Sequence, residues 1–76
     1  MIFDIDFNRE NDDETLELLG ANLCWSEDND NCFYTIEVED FFALEELLKK
    51  VDDVKKDYYS AVVTFDPPTI YFDSKI

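Results

Sequence analysis

Carboxylates are the side chains of this chain with the most potential for chemistry, because 20 of its 76 residues are Asp or Glu. Asp28, Asp30 and Glu39 occupy positions 1, 3 and 12 of a would-be calcium loop. Positions 5 and 6 are Cys32 and Phe33, however, where such a loop needs an oxygen ligand and a sharply turning glycine. The same stretch also has the alternation of a strand. We therefore expect no specific calcium site.

Other catalytic and ligand-binding arrangements are missing from the sequence. Histidine, the commonest general base and metal ligand, is absent, so Ser26, Ser60 and Ser74 have no partner of the triad kind. The single glycine, Gly20, cannot make a phosphate-binding loop, and two cysteines without histidine do not complete a zinc site. The sequence predicts a protein that is not an enzyme and that holds no metal and no cofactor.

Cys24 and Cys32 are the only cysteines and lie symmetrically about Asp28. A hairpin centred there would set Cys24 beside Cys32 and Leu23 beside Phe33, and such cross-strand pairs can approach disulfide range. We interpret the two residues as reduced, half-buried thiols of a cytosolic protein, with a disulfide as the alternative.

The negative charge is confined to one part of the chain. Residues 1–46 contain 15 acidic residues and one Arg, whereas residues 47–76 contain five acidic residues and five lysines, so the whole net charge of −14 belongs to the first part. Such a concentration of charge costs stability through self-repulsion, which suggests that it has a use. The expected partner is strongly positive.

The elements that must position these carboxylates follow from the apolar pattern. Alternation predicts a strand at Ile2–Phe7, a hairpin of residues 21–25 and 32–38 around a turn at 27–30, and a second hairpin at a sheet edge, formed by residues 61–65 and 69–72. Asn11 or Asp12 is expected to cap a short helix that buries Leu16 and Leu19 and ends at Gly20.

A longer helix is predicted after Asp40, its expected N-cap. Its apolar stripe consists of Phe41, Leu44, Leu47, Leu48, Val51, Val54 and Tyr58. Acidic residues four positions before lysines, such as Glu46 before Lys50, favour ion pairs on its surface.

Together these patterns predict one small α+β domain over residues 1–76. Its expected order is β-α-β-β-α-β-β, with an antiparallel or mixed sheet of four to five short strands and the long helix on one face. Twelve aromatic residues can build its core. The chain has no apolar run long enough to span a membrane and no signal-peptide pattern at its start, so we expect a cytoplasmic protein.

The acidic surface is the expected binding site, and it should repel nucleic acid and anionic membranes. The residues assigned to it are Asp4, Asp6, Glu10, Asp12, Asp13, Glu14, Glu17, Glu27, Asp28, Asp30, Glu37 and Glu39. A folded scaffold with such rows of carboxylates can occupy a basic nucleic-acid channel.

In its length, its charge, its element order and its acidic runs at 11–14 (NDDE) and 26–31 (SEDNDN), the chain resembles the small acidic phage-encoded inhibitors that mimic nucleic acid, anti-CRISPR proteins among them. The resemblance rests on composition over the whole chain and carries over no individual residue. It implies inhibition, in the cytoplasm of a bacterial host, of a nuclease or another nucleic-acid-binding protein. For an anti-CRISPR protein, the covered site is the DNA channel of a Cas effector or its site for the protospacer-adjacent motif.

The leading hypothesis is therefore a non-enzymatic inhibitor, monomeric or dimeric, that presents an acidic face to a basic protein. The alternative is a small structural or assembly module with a generic acidic surface, whose exposed aromatic residues pack on a partner chain. Tyr58, Tyr59 and Tyr71 motivate this alternative, because tyrosine is enriched at interfaces.

Overall fold

The computed structural model describes residues 1–25 and 32–75 and shows a five-stranded mixed sheet with two α-helices. The elements are β1 (Ile2–Phe7), α1 (Asp13–Leu19), β2 (Asn22–Trp25), β3 (Cys32–Glu37), α2 (Phe41–Lys55), β4 (Ser60–Phe65) and β5 (Pro68–Asp73). The predicted element order and the α+β class are confirmed. The predicted turn at 27–30 lies outside the described residues.

The sheet has the strand order β2-β3-β1-β5-β4, so the first strand of the chain lies at its centre. β1 pairs antiparallel with β3 and parallel with β5, while the β2–β3 and β4–β5 pairs are antiparallel. The second predicted hairpin is present. Of its two strands, β4 lies at a sheet edge, whereas β5 is paired on both sides.

Both helices pack on one face of the sheet. The alternation of β1 explains which face this is, since Phe3 and Ile5 are 0% and 5% exposed while Asp4 and Asp6 are exposed. The core of this layer consists of Phe3, Ile5, Leu16, Leu19, Ile36, Val38, Leu47, Val51, Val54, Tyr58, Ile70 and Phe72.

The N-caps of both helices and the C-terminal end of α1 lie where the sequence predicts them. Of the two expected caps for α1, Asp12 is the one observed, and its carboxylate accepts from the Thr15 N–H at 3.2 Å. α1 ends at Gly20, which has φ 74°. Asp40 caps α2 by accepting from the Ala43 N–H at 2.8 Å. Neither helix, within the described parts of the chain, combines the length and the apolar character needed to cross a membrane.

The predicted register of β2 against β3 is wrong by one residue. Cys24 lies opposite Phe33 and Leu23 opposite Tyr34, so Cys24 and Cys32 point to opposite faces of the sheet and both thiols are free. The apolar pattern predicts which β3 residues face the core. It does not predict the register of β2 against β3, because a connecting sequence of polar residues alone is compatible with more than one turn length. A cross-strand disulfide is therefore not formed.

The exposure of Phe41 differs from expectation, and the burial of Tyr58 decides between two expectations. Phe41, predicted to be part of the buried stripe, is 85% exposed. At 3.6 residues per turn it is rotated by about 120° around the helix from Leu47, outside the centre of the buried face. Tyr58 is only 7% exposed and belongs to the core, although it lies after the end of α2. The burial predicted by its place in the apolar stripe is therefore confirmed, and its role as an exposed interface residue in the alternative hypothesis is wrong.

The ion pairs of α2 have a spacing of three residues rather than the predicted four. Lys49 lies 4.0 Å from Glu46, and Lys55 lies 3.5 Å from Asp52. Both pairs are exposed, and such pairs contribute little to stability.

Candidate functional site

The face of the sheet opposite the helices is uncovered in the described parts of the chain, and we call it the open face. The strand registers place 14 side chains on it: Ile2, Asp4, Asp6, Asn22, Cys24, Phe33, Thr35, Glu37, Ser60, Val62, Thr64, Thr69, Tyr71 and Asp73. Because strand side chains alternate between faces, these residues point away from the core.

Four carboxylates cross the open face in one oblique row, which we call the acidic diagonal: Glu37, Asp4, Asp6 and Asp73. Glu37 pairs with Ile2 and is thus a diagonal neighbour of Asp4, at about 7–8 Å. Asp4 and Asp6 are two residues apart on β1, at about 7 Å, and Asp73 lies one diagonal step beyond Asp6, at about 8 Å. The row therefore runs over three adjacent strands.

The acidic diagonal is not neutralised by neighbouring cations. None of the 14 open-face residues is Lys or Arg. The ion pairs found among residues 1–25 and 32–75 both lie on α2, on the other side of the sheet. Asp4, Asp6 and Glu37 are exposed, so their carboxylates are accessible to a partner.

Asp73 is held more firmly than the other three carboxylates. Its side chain is half-buried and accepts a hydrogen bond from the Asn8 side-chain amide. The Asn8 side-chain oxygen in turn accepts from the Ser74 N–H at 2.8 Å. These two hydrogen bonds hold Asp73, the last carboxylate of the acidic diagonal, against Asn8, which directly follows β1.

Hydroxyl and aromatic groups flank the carboxylates. Thr35 and Thr69 lie directly beside Asp4 on the two neighbouring strands, while Tyr71 lies beside Asp6. Phe33 and Tyr71 remain 45% and 41% exposed. A guanidinium group can bind a carboxylate and at the same time stack on an aromatic ring, so this surface suits arginine in particular.

Asp12, although predicted to belong to the binding surface, has a structural role. Its carboxylate accepts a hydrogen bond from the Tyr58 hydroxyl at 2.8 Å and caps α1 as well. The bond from Tyr58 lowers the pKa of Asp12, and the bonds from Thr15 act in the same direction. Burial, together with the nearby Asp12 carboxylate, raises the pKa of Tyr58 to about 12.

The remaining predicted site residues do not form one surface with the acidic diagonal. Asp13, Glu14 and Glu17 are exposed on α1, which packs on the helix side of the sheet. Glu10 and Glu39 lie in the loops before α1 and α2. Glu27, Asp28 and Asp30 lie outside the described residues.

The structure also adds residues that the sequence did not assign to the site. Asp73 belongs to the charge-neutral part of the chain, and Thr35, Thr69 and Phe33 carry no charge. The predicted strand ended at Phe72, whereas β5 includes Asp73. Continuing the alternation by one residue would have placed Asp73 on the face opposite Phe72, but its position beside β1 depends on the parallel pairing of the two strands.

Metal-ligating side chains are not clustered among the residues described. Among them, no group of three or more His, Cys, Asp or Glu side chains is arranged to hold a metal ion. Cys32 and Phe33 of the would-be calcium loop lie in β3, and Asp28 and Asp30 lie outside the described residues. The open face can therefore offer charge, hydrogen bonds and aromatic surface.

Comparison of the chain with protein-family models, curated protein sequences and solved structures finds no match in any of the three.

Proposed function

We propose that this protein is a non-enzymatic inhibitor that binds a basic, nucleic-acid-binding protein in place of nucleic acid, through the open face of its sheet. The observation that carries the proposal is the acidic diagonal. Its residues Asp4, Asp6 and Glu37 are exposed, and none of the 14 open-face residues is positively charged. Displacement of nucleic acid is the expected mode of inhibition.

The charge spacing of the acidic diagonal supports this kind of mimicry. The row presents one carboxylate per roughly 7–8 Å, whereas one DNA strand has one phosphate per roughly 3.4 Å along its axis. Its charge density is thus about half that of a single strand. A rigid sheet compensates in part, because the backbone that carries these carboxylates is already ordered before binding.

The chemistry of the expected partner is a groove rich in arginine and lysine. Arginine can bridge Asp6 and the ring of Tyr71 or Phe33, and the Thr35 and Thr69 hydroxyls can accept further donors. The DNA channel of a Cas effector nuclease has this character, which would make the protein an anti-CRISPR protein.

An affinity experiment tests the proposed function directly. The immobilised protein is exposed to a bacterial lysate and eluted first with a salt gradient and then, in a parallel experiment, with double-stranded DNA or RNA. We expect retained nucleic-acid-binding proteins to elute in both experiments, because counterions and nucleic acid compete for the same basic site. Retention that neither salt nor nucleic acid reverses contradicts the proposal and indicates a structural module instead.

A set of neutral variants assigns the binding to the open face. Replacing Asp4 and Asp6 with Asn, and Glu37 with Gln, should weaken binding of the retained partner by about 5- to 150-fold, since three exposed ion pairs contribute roughly 0.3–1 kcal/mol each. Titration calorimetry on the purified partner measures the change.

The matched control replaces Asp52, Asp53 and Asp57 with Asn, which removes the same charge from the helix side of the sheet. It should change the affinity less than threefold. Equal losses in the two triple variants would show that only net charge matters and would contradict binding through the open face.

A further inference from the structure

The edge strand β4 is unprotected along its whole length. It pairs with β5 over six consecutive residue pairs without a bulge, and no strand among residues 1–25 and 32–75 lies on its other side. Alternate residues of such a strand direct their backbone N–H and C=O groups away from the sheet. Edge strands usually carry charges, prolines or bulges that prevent further pairing, and Ser60–Phe65 (SAVVTF) contains none of these.

The sequence around Val62 is nearly symmetric in side-chain type. If two copies of β4 pair antiparallel with Val62 opposite Val62, then Ser60 meets Thr64 and Ala61 meets Val63. One position further out, Tyr59 meets Phe65. Hydroxyl thus pairs with hydroxyl, aliphatic with aliphatic and aromatic with aromatic, which are favourable cross-strand combinations.

Exposure supports the same pairing. Tyr59 is 76% exposed, Phe65 is 52% exposed and Val62 is 48% exposed. These three residues lie on the edge strand or directly before it, where a second strand would cover them. Pairing about Val62 also sets core-facing residues opposite core-facing residues and open-face residues opposite open-face residues. The two faces of the sheet therefore continue from one copy into the other.

Charge favours a second copy over a basic partner at this edge. The edge carries no carboxylate that could attract a cation, since Ser60–Phe65 is uncharged. Two copies that each carry −14 repel one another, so their closest approach must occur where the surface is neutral. The uncharged strand β4 is such a neutral part of the surface.

We infer that two copies of this chain associate through β4 about a two-fold axis at Val62, forming a continuous ten-stranded sheet. The axis is perpendicular to the sheet, so the contact is isologous and closes after two copies. It adds about four to six backbone hydrogen bonds and little buried area, which makes the dimer weak and dependent on concentration.

Sedimentation velocity of the full chain at about 10 µM to 1 mM, in 0.05 M and 0.5 M NaCl, tests this inference. We expect the dimer fraction to rise with concentration and to be higher at 0.5 M NaCl, because salt screens the repulsion between the copies. Binding to a basic protein responds to salt in the opposite direction, so failure of this inference and failure of the proposed function are distinguishable. A monomer throughout this range contradicts the inference.

Two variants locate the contact. Val62→Lys places two like charges opposite each other at the axis and should weaken dimerisation at least tenfold, whereas Ile2→Lys adds the same charge to an exposed open-face position on β1 and should not weaken it. Tyr59→Ser, at a position that the core does not need, should also weaken dimerisation. Equal dimerisation of Val62→Lys and Ile2→Lys overturns the inference.

Discussion

Asp12 connects two parts of the chain that are distant in sequence. The Tyr58 hydroxyl, 46 residues away, donates to one carboxylate oxygen of Asp12, and the Thr15 N–H donates to the other. Since the proton of Tyr58 is used in this bond, the Thr15 hydroxyl donates to the Tyr58 oxygen, at 2.8 Å. Thr15 is only 5% exposed, so this partner satisfies a buried polar group. The network fixes α1 against the segment that follows α2.

Removing the hydroxyl of Tyr58 should therefore destabilise the fold. We expect Tyr58→Phe to lower the free energy of unfolding by about 1–2 kcal/mol, because the Thr15 hydroxyl loses its partner and Asp12 loses a donor. Urea unfolding followed by tryptophan fluorescence or circular dichroism measures the change. Tyr59→Phe is the matched control, since that ring is 76% exposed, and it should have almost no effect. Similar losses in both variants would contradict a structural role for the network.

The same network predicts a distinct dependence of stability on pH. The pKa of Tyr58 is raised from 10.0 to about 12, so the stabilisation by its neutral hydroxyl is complete below pH 10 and is lost as the pH rises through 12. The pKa of Asp12 is lowered from 3.8, so its contribution is complete above that pH and is lost as the pH falls through the lower value. Urea unfolding from pH 9 to 12 should show a steeper loss for the natural chain than for Tyr58→Phe. Parallel profiles would contradict this assignment.

At the scale of elements, Gly20 determines how α1 ends. Its φ of 74° is a conformation that L side chains rarely adopt, while a Cβ added there would meet no atom within 4 Å. Gly20→Ala should thus cost about 1–2 kcal/mol of unfolding free energy through the backbone alone. Gly20→Asn should cost less, because Asn tolerates the left-handed region. Thermal and urea unfolding compare the two variants, and an alanine variant as stable as the asparagine variant would contradict this explanation.

Elements with local signals were predictable from the sequence. The alternation of β1, the Asp12 and Asp40 caps and the Gly20 stop all depend on neighbours within a few residues. The register of β2 against β3 was not predictable, because hydrophobic alternation fixes the face of each strand but not the length of a polar turn. The exposure of Phe41 was missed for a related reason: its spacing fits the stripe, but its angular position lies at the margin of the buried face.

At the scale of the whole molecule, the sheet divides the negative charge. The sequence predicted one acidic surface, whereas the fold places Asp4, Asp6 and Glu37 on the open face and Asp13 with its neighbours on the helix side. This division depends on which face α1 covers and on the parallel pairing of β1 with β5. Both are long-range properties that composition does not contain. The candidate site was therefore predictable in sign and in three of its four carboxylates, but not in its geometry.

Dimerisation through β4 would join the open faces of two copies into one larger acidic surface. The two-fold axis perpendicular to the sheet keeps both open faces on one side, where ten strands at about 4.8 Å would span roughly 48 Å. Two acidic diagonals would then face a partner together. Low salt favours the complex with a basic protein and disfavours the dimer, so a bound partner would have to offset the repulsion between copies.

The central position of β1 has a consequence for how the protein is made. β1 is synthesised before its parallel partner β5, and Ile5 finds its neighbour Ile70 only after 65 further residues have been added. Until then Phe3 and Ile5 lack half of the layer that buries them, so the nascent chain must keep an apolar strand out of other contacts while it is still attached to the ribosome. Because the central pairing joins strands that are distant in sequence, folding is expected to be completed in one cooperative step, and only after β5 has been synthesised.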